Sequence, residues 1–314
     1  MRKLSDNFMY ALKKPDGLLY PILERVRQDD TLMLAIRGNY INIYYRGGNL
    51  LKVEEKGEGS YKTSFDEKYD ISGESIPVLP TAIKNQDGAA EWVCAFPSLK
   101  GIMDLYFSKH RKPEREFQQL IARENNCSTI SNETEYFISD IESAGSVRGA
   151  RFDMLAIRWL ASQRKDGSNC RLALIEMKYG DGALGGKAGL NKHLEDIEAL
   201  VIDKKYGSLL EMMELQFNQL DELKLLNFHK SINGTKVKLD VKAKPEVILV
   251  LASHNPRSTK LSSIIDSSEV DKYGQTNLFD LRFFVSNFAG YGLHSKCMLT
   301  LAQFRDLLKK SNAE

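Results

Sequence analysis

Cysteine is scarce in this chain. There are four in 314 residues, at Cys94, Cys127, Cys170 and Cys297. No two lie close enough for a zinc knuckle, and so few thiols in so long a chain make no disulfide scaffold. They read as free thiols, mostly buried, in a reducing compartment. Long apolar runs are missing too: no stretch approaches the roughly 18 residues of a membrane span. The opening MRKLSDNFMYALKKPDG lacks the apolar core of a signal peptide. Together these absences predict a cytoplasmic protein without a membrane partner. Net charge is also nearly absent, with 44 basic against 42 acidic side chains. That balance demands no polyanionic partner, and a local basic groove would still suffice for one. There is no internal repeat and no low-complexity tract.

What is present is a globular composition, 42% hydrophobic and 27% charged, at a length that suits one large or two ordinary domains. Residues 19–28 have the spacing of a short amphipathic helix. Strand-like runs follow at Thr31–Arg37, Tyr40–Tyr45 and Asn49–Glu55, with a further one at Ser60–Phe65. Gly38-Asn39 and Gly47-Gly48 punctuate them as turns, which predicts an antiparallel meander. Residues 66–92 are polar and bear Gly and Pro, as a connecting region does. A β-rich N-terminal domain over 1–95 and a second domain over 96–314 are therefore expected.

The second part alternates differently. Helical spacing runs from Ser98, and again from Pro113, which suits a first helical turn. Three strand candidates follow at Glu135–Glu142, Arg151–Trp159 and Arg171–Tyr179, joined by short connections that favour antiparallel pairing. Helices are expected at Leu190–Lys205 and Leu209–Phe228, strands at Val247–Ala252 and Leu281–Val285. A last helix should start at Thr300, where Thr300 and Gln303 form a capping box. The fold class read from this order is α/β, or α+β: a mixed sheet flanked by helices.

The run RLALIEMKYG (Arg171–Gly180) concentrates the chemistry. In a strand, Glu176 and Lys178 share one face, and charge at the end of a buried strand is costly unless something uses it. Asp153 lies on the preceding strand, so antiparallel pairing would bring its carboxylate toward Glu176. Two carboxylates suit Mg²⁺, which prefers oxygen ligands and keeps several waters. A bound cation would acidify a water and stabilise phosphoryl charge. Lys178 could orient or deprotonate that water and offset the developing charge. These parts suit phosphodiester hydrolysis. The bland alternative is a solvated surface pair at Glu176 and Lys178, with Asp153 an ordinary edge residue.

Asp153 followed by Glu176-Met177-Lys178 resembles the motif of the PD-(D/E)XK nuclease superfamily, with Phe152 where the motif has its proline. The order helix, three strands, helix, strand from about residue 113 to 252 is similar to that family's. The resemblance implies a restriction-endonuclease-like core, Mg²⁺ (or Mn²⁺ as substitute), and cleavage of nucleic acid, usually DNA. It implies that Asp153, Glu176 and the main-chain carbonyl of Met177 bind metal. It also implies a helical glutamate that assists, for which Glu116 fits best and Glu114 next. Family members commonly face the site with a polar residue of the following helix. Here that would be His193, unless it is a structural boundary histidine, while Lys192 would contact a phosphate. Homodimers are frequent among double-strand cutters of this type. The alternative is a catalytically inactive nuclease fold that acts as a nucleic-acid-binding or assembly module.

Other features are weaker. Gly180, Gly182 and Gly185 match a dinucleotide-binding spacing, but a second helix follows where a strand is needed. Asp140 and Glu142 share a strand face and would add charge if that strand neighbours Arg151–Trp159; solvated side chains are the simpler reading. Lys236–Lys244 reads better as a protected strand edge than as a phosphate-tracking surface. Tyr40, Tyr44 and Tyr45 with Arg37 and Arg46 fit a nucleic-acid platform or ordinary period-two packing equally well.

Overall fold

The computed structural model describes residues 2–57, 59–71, 73, 76–127, 134–144, 151–164, 167, 169–186, 189–203, 206–228, 236–253, 259–284, 293, 295 and 298–311. The chain is mixed α/β and divides into two compact units. Unit 1 is Met1–Arg123 with Leu215–Asn227, and unit 2 is Glu124–Glu214 with Phe228–Glu314.

Unit 1 opens with helices α1 (Asp6–Lys13) and α2 (Tyr20–Gln28). Ser5 caps α1 by accepting the Phe8 N–H at 3.0 Å. An antiparallel sheet follows, built in chain order from β1 (Leu32–Ile36), β2 (Tyr40–Tyr45), β3 (Gly48–Gly57), β4 (Ser60–Ser64) and β5 (Ala82–Ile83). The expected meander is therefore present. Gly47 turns β2 into β3 with φ of 72°, and a Cβ there would lie 2.6 Å from Arg115. Only glycine meets both conditions. Ile41, Ile43, Leu51 and Val53 point from the sheet into a core shared with α1, α2 and α3 (Gln86–Lys109).

Helix α3 corrects two expectations. It starts at Gln86, not Ser98, and the polar stretch before it holds β5. Asn85 caps the helix by accepting the Gly88 N–H at 3.0 Å. Pro97 lies inside the helix, and buried Trp92, Phe96, Leu99 and Met103 on both sides of it hold the helix to the core. Packing thus outweighs the cost of an interior proline. The division expected at residue 95 would cut this helix in two. The change of unit instead falls within α4 (Pro113–Cys127).

Unit 2 is built on a six-stranded sheet. Its order is β11 (Met298–Leu299), β10 (Asp280–Phe284), β9 (Glu246–Ala252), β8 (Arg171–Tyr179), β7 (Arg151–Arg158), β6 (Tyr136–Ala144). β6, β7 and β8 pair antiparallel; β8, β9 and β10 pair parallel; β11 returns antiparallel. β8 is interior, so its run from Leu172 to Lys178 is buried throughout. A strand covered on both faces reads as a continuous apolar segment. The parallel step from β8 to β9 contains α5 (Leu190–Ile202) and α6 (Tyr206–Glu222), whose last turns belong to unit 1. Leu190, Leu194, Ile197 and Leu200 are the buried stripe of α5. Short helices α7 (Thr259–Ile265) and α8 (Ser268–Gly274), which have no strong periodic signal, precede β10. α9 (Leu301–Ser311) carries the expected capping box: Thr300 N–H reaches Gln303 at 2.9 Å, and Gln303 N–H reaches Thr300 at 3.3 Å. Lys204, Lys205 and Val285 lie outside the described residues.

Cys94 and Cys127 are exposed and Cys170 is buried, all as free thiols. The expectation of mostly buried thiols therefore fails at the two helical positions, which point outward from α3 and α4. Cys297 is outside the described residues. No helix among the described residues is long and apolar enough to cross a membrane.

Candidate active site

The candidate site forms where the β7–β8 ladder stops. The last paired residues are Met154 and Ile175. One step beyond that last pair come Asp153 on β7 and Glu176 on β8. The Asp153 carboxylate accepts the Met177 N–H at 2.9 Å. That bond satisfies a backbone donor at the ladder end and fixes the carboxylate beside the Glu-Met-Lys segment.

Glu176 and Lys178 form an ion pair, Nζ to Oε1, at 2.6 Å. They are 2% and 4% exposed, and Asp153 is 9% exposed. The solvated-pair reading is therefore excluded, and so is the edge reading, because β7 lies between β6 and β8. Removing such charges from water costs several kcal/mol per ion before pairing offsets it. His193, on the first turns of α5, adds a second contact: its Nε2 is 3.0 Å from the same Glu176 oxygen. The buried α5 stripe orients this ring, with Leu190 and Leu194 seating the helix while His193 remains partly exposed.

Of the residues singled out from sequence, Asp153, Glu176, Met177, Lys178 and His193 come together. Lys192 is the next residue on α5, but its ammonium turns along the helix to Asp196 at 2.5 Å. Asp196 raises the Lys192 pKa through that hydrogen bond and then its charge. Glu116 belongs to unit 1, where Arg46 grips it through Nε at 2.8 Å and Nη2 at 3.3 Å. Arg46 also reaches Asp104 at 2.8 Å. Asp140 is buried on β6, the neighbour of β7, and a register shift falls between Ile138 and Asp140. Glu142 has φ of 49°. Of the glycine-rich link, residues 187 and 188 lie outside the described residues, while 181–184 form a short 3-10 turn.

The donors at this point are the carboxylates of Asp153 and Glu176 and the carbonyl of Met177. All are hard oxygens, the type that Mg²⁺ and Mn²⁺ take. Among the described residues no group of three or more His, Cys, Asp and Glu gathers to hold a metal. The Asp153 carboxylate is engaged by the Met177 N–H and the Glu176 carboxylate by Lys178 and His193.

Sequence reasoning missed a second buried charge cluster, at the opposite end of the same sheet. Glu246 is 4% exposed at the start of β9. It accepts the Tyr136 hydroxyl at 2.8 Å and lies 3.5 Å from Arg158 and 3.7 Å from Arg171. Arg171 also binds Asp280 at 2.7 Å. Burial, and then the Glu246 charge and hydrogen bond, push the Tyr136 hydroxyl far above its ordinary pKa. The available signal was charge at the ends of apolar strands, the same one that drew attention to Glu176. No family model, no curated protein and no solved structure matches the chain.

Proposed function

We propose that the chain is a metal-dependent nuclease of the PD-(D/E)XK type that hydrolyses phosphodiester bonds of nucleic acid, with DNA as the first substrate to test, in the cytoplasm. One observation carries this reading: two buried carboxylates on adjacent strands where their ladder ends, one bound to the Met177 N–H and the other paired with a buried lysine. Asp153 and Glu176, with the Met177 carbonyl, would hold Mg²⁺ or Mn²⁺. When bound, the cation supplies Lewis acidity toward a phosphoryl oxygen and a more acidic water. The chain supplies the rest. Lys178 Nζ would orient the attacking water, move its proton, and offset charge on the phosphate. His193 would steady the Glu176 carboxylate, and Lys192 would meet a neighbouring phosphate. Glu116 keeps an assisting role only if it leaves Arg46.

A second reading has its own support. Glu176 already meets an ammonium and an imidazole, so its charge is offset within the chain. A nuclease fold kept as a binding or assembly module would look the same. Incubation with linear, circular and single-stranded DNA and with RNA, with Mg²⁺, Mn²⁺ or chelator, separates the two. Wild type should cleave with metal, and Lys178→Ala should not, while its circular dichroism remains that of a folded protein with a lowered melting temperature. Cleavage that survives Lys178→Ala, or binding without any cleavage by wild type, removes the catalytic assignment.

A further inference from the structure

The outer face of the unit 1 sheet combines aromatic rings with cations. Strand register aligns Tyr40, Glu54 and Lys62 in one row across β2, β3 and β4, and Ala35, Asn42, Lys52 and Ser64 in the next. Directly opposed residues share a face, and the alternate residues Ile41, Ile43, Val53 and Tyr61 fill the core. The rows therefore lie on the side away from that core. Tyr40, Asn42, Lys52 and Glu54 are partly exposed, and Lys62 and Ser64 are exposed.

The rings on this face already bind cations. The Lys52 ammonium sits 4.3 Å from the Tyr40 ring centre. The Arg37 guanidinium lies 5.6 Å from the Tyr44 ring centre and donates to its hydroxyl at 2.9 Å. Lys56 reaches over to Glu54 at 2.8 Å, and Lys52 meets the same carboxylate at 3.1 Å. Four cations, Arg37, Lys52, Lys56 and Lys62, thus accompany the Glu54 carboxylate. The whole chain is nearly neutral, so this excess is local. Simple packing needs tyrosine on a half-exposed strand face, but it needs no surplus of cations around it.

We infer that this face binds single-stranded nucleic acid, with a base stacked on the partly exposed Tyr40 ring and phosphates met by Lys52, Lys56 and Lys62. Tyr44 is buried under its contacts with Arg37 and Asn42, so Tyr40 is the tyrosine of this strand that presents a ring on this face. Stacking on aromatic and guanidinium planes needs unpaired bases, which favours a single strand over a duplex. The ion pairs among Lys52, Lys56 and Glu54 are partly exposed, so their lysines can exchange Glu54 for phosphate at modest cost. This inference rests on the proposed nuclease reading only for the choice of a nucleic acid among polyanions, and gives the N-terminal unit the task of holding substrate.

The test is fluorescence anisotropy of a labelled single-stranded oligonucleotide with the full chain in chelator, so that no cleavage intervenes. Tyr40→Ala should weaken binding roughly tenfold, as removal of one base–aromatic stack does, while Tyr40→Phe keeps the stack and the affinity. Lys52→Glu with Lys62→Glu should weaken binding more and lower the salt slope by about 0.7 for each phosphate that is no longer neutralised. All three sites are on the surface, and superimposed thermal melts would confirm that the variants fold. Unchanged affinity and slope in folded variants overturn the inference, as does a wild type that binds duplex or a protein partner but no single strand. If wild type cleaves yet the variants bind normally, the platform fails and the nuclease reading survives. If the variants lose binding while wild type never cleaves, the platform stands and the catalytic reading falls.

Discussion

The two ends of the unit 2 sheet each carry buried charge, and they are built differently. At one end, Glu246 and Asp280 are held by Arg158, Arg171 and the Tyr136 hydroxyl across β6 to β10. At the other, Asp153 and Glu176 meet a backbone N–H, a lysine and a histidine. Arginine stays charged at every accessible pH and grips carboxylates through a rigid fork, so the cations of the first cluster fasten strands without themselves moving a proton. Lysine and histidine can gain and lose protons, and they offer single points of contact. Burial alone therefore does not mark a site. The partner types do: the first end is a clasp, and the second contains groups able to do acid–base chemistry.

The largest effect expected from this contrast is on stability. Glu246→Ala would leave Arg158 and Arg171, directly opposed on β7 and β8, without their shared carboxylate. The cost should be about 3–5 kcal/mol, as for a broken buried pair, read by denaturant unfolding. A change below about 1 kcal/mol would mean the clasp holds nothing. The matching change at the other end should act in the opposite direction. Replacing Glu176 and Lys178 together by Gln and Met removes both charges at similar volume, so stability should be unchanged or higher, while metal-dependent cleavage is lost. A large destabilisation there would make the second cluster a clasp too, and would support the module reading. This is the usual trade in which function retains groups that folding would discard.

Much of this was legible from residue patterns. β8 announced itself because an interior strand must be apolar throughout, and the charged end stood out against that run. The short connections AGSVRG and QRKDGSN were enough to predict the antiparallel β6–β7–β8 ladder. The start of α3 was hidden because Pro97 looks like a boundary. Only the tertiary burial of Trp92 and Phe96 before it and Leu99 after it shows that one helix continues. The clasp was hidden for another reason. Its members, Tyr136, Arg158, Arg171, Glu246 and Asp280, come from five strands, and only the parallel register of β8, β9 and β10 brings them together. His193 was legible as a helical neighbour of the site, but its contact with Glu176 depends on the turn of α5.

A smaller effect should emerge with pH. Burial pushes the Asp280 carboxyl up, but the hydrogen bond and charge of Arg171, with Arg282 and Lys244, outweigh it and leave the pKa lowered. A group depressed in the folded state contributes stability above its unfolded pKa near 4 and loses it as pH falls below that value. Wild type should thus lose the Asp280 contribution on acidification, a modest one because the side chain is partly exposed. Asp280→Asn should be less stable at neutral pH and lack that part of the acid loss. Melting temperatures across the acid range test this, and identical profiles would remove Asp280 from the clasp.

The smallest effect belongs to Lys192, at the rim of the other end. Its ammonium is exposed and paired along the helix with Asp196, so Lys192→Ala should leave stability essentially unchanged. If Lys192 meets a phosphate, the same variant should bind duplex DNA a few-fold more weakly. Its salt slope should then be lower by about 0.9, the value for one neutralised phosphate of B-form DNA. Anisotropy at several salt concentrations reads that slope directly. An unchanged slope would assign Lys192 to the Asp196 pair alone. The chemical end of the sheet would then have to hold its substrate through groups other than this helix.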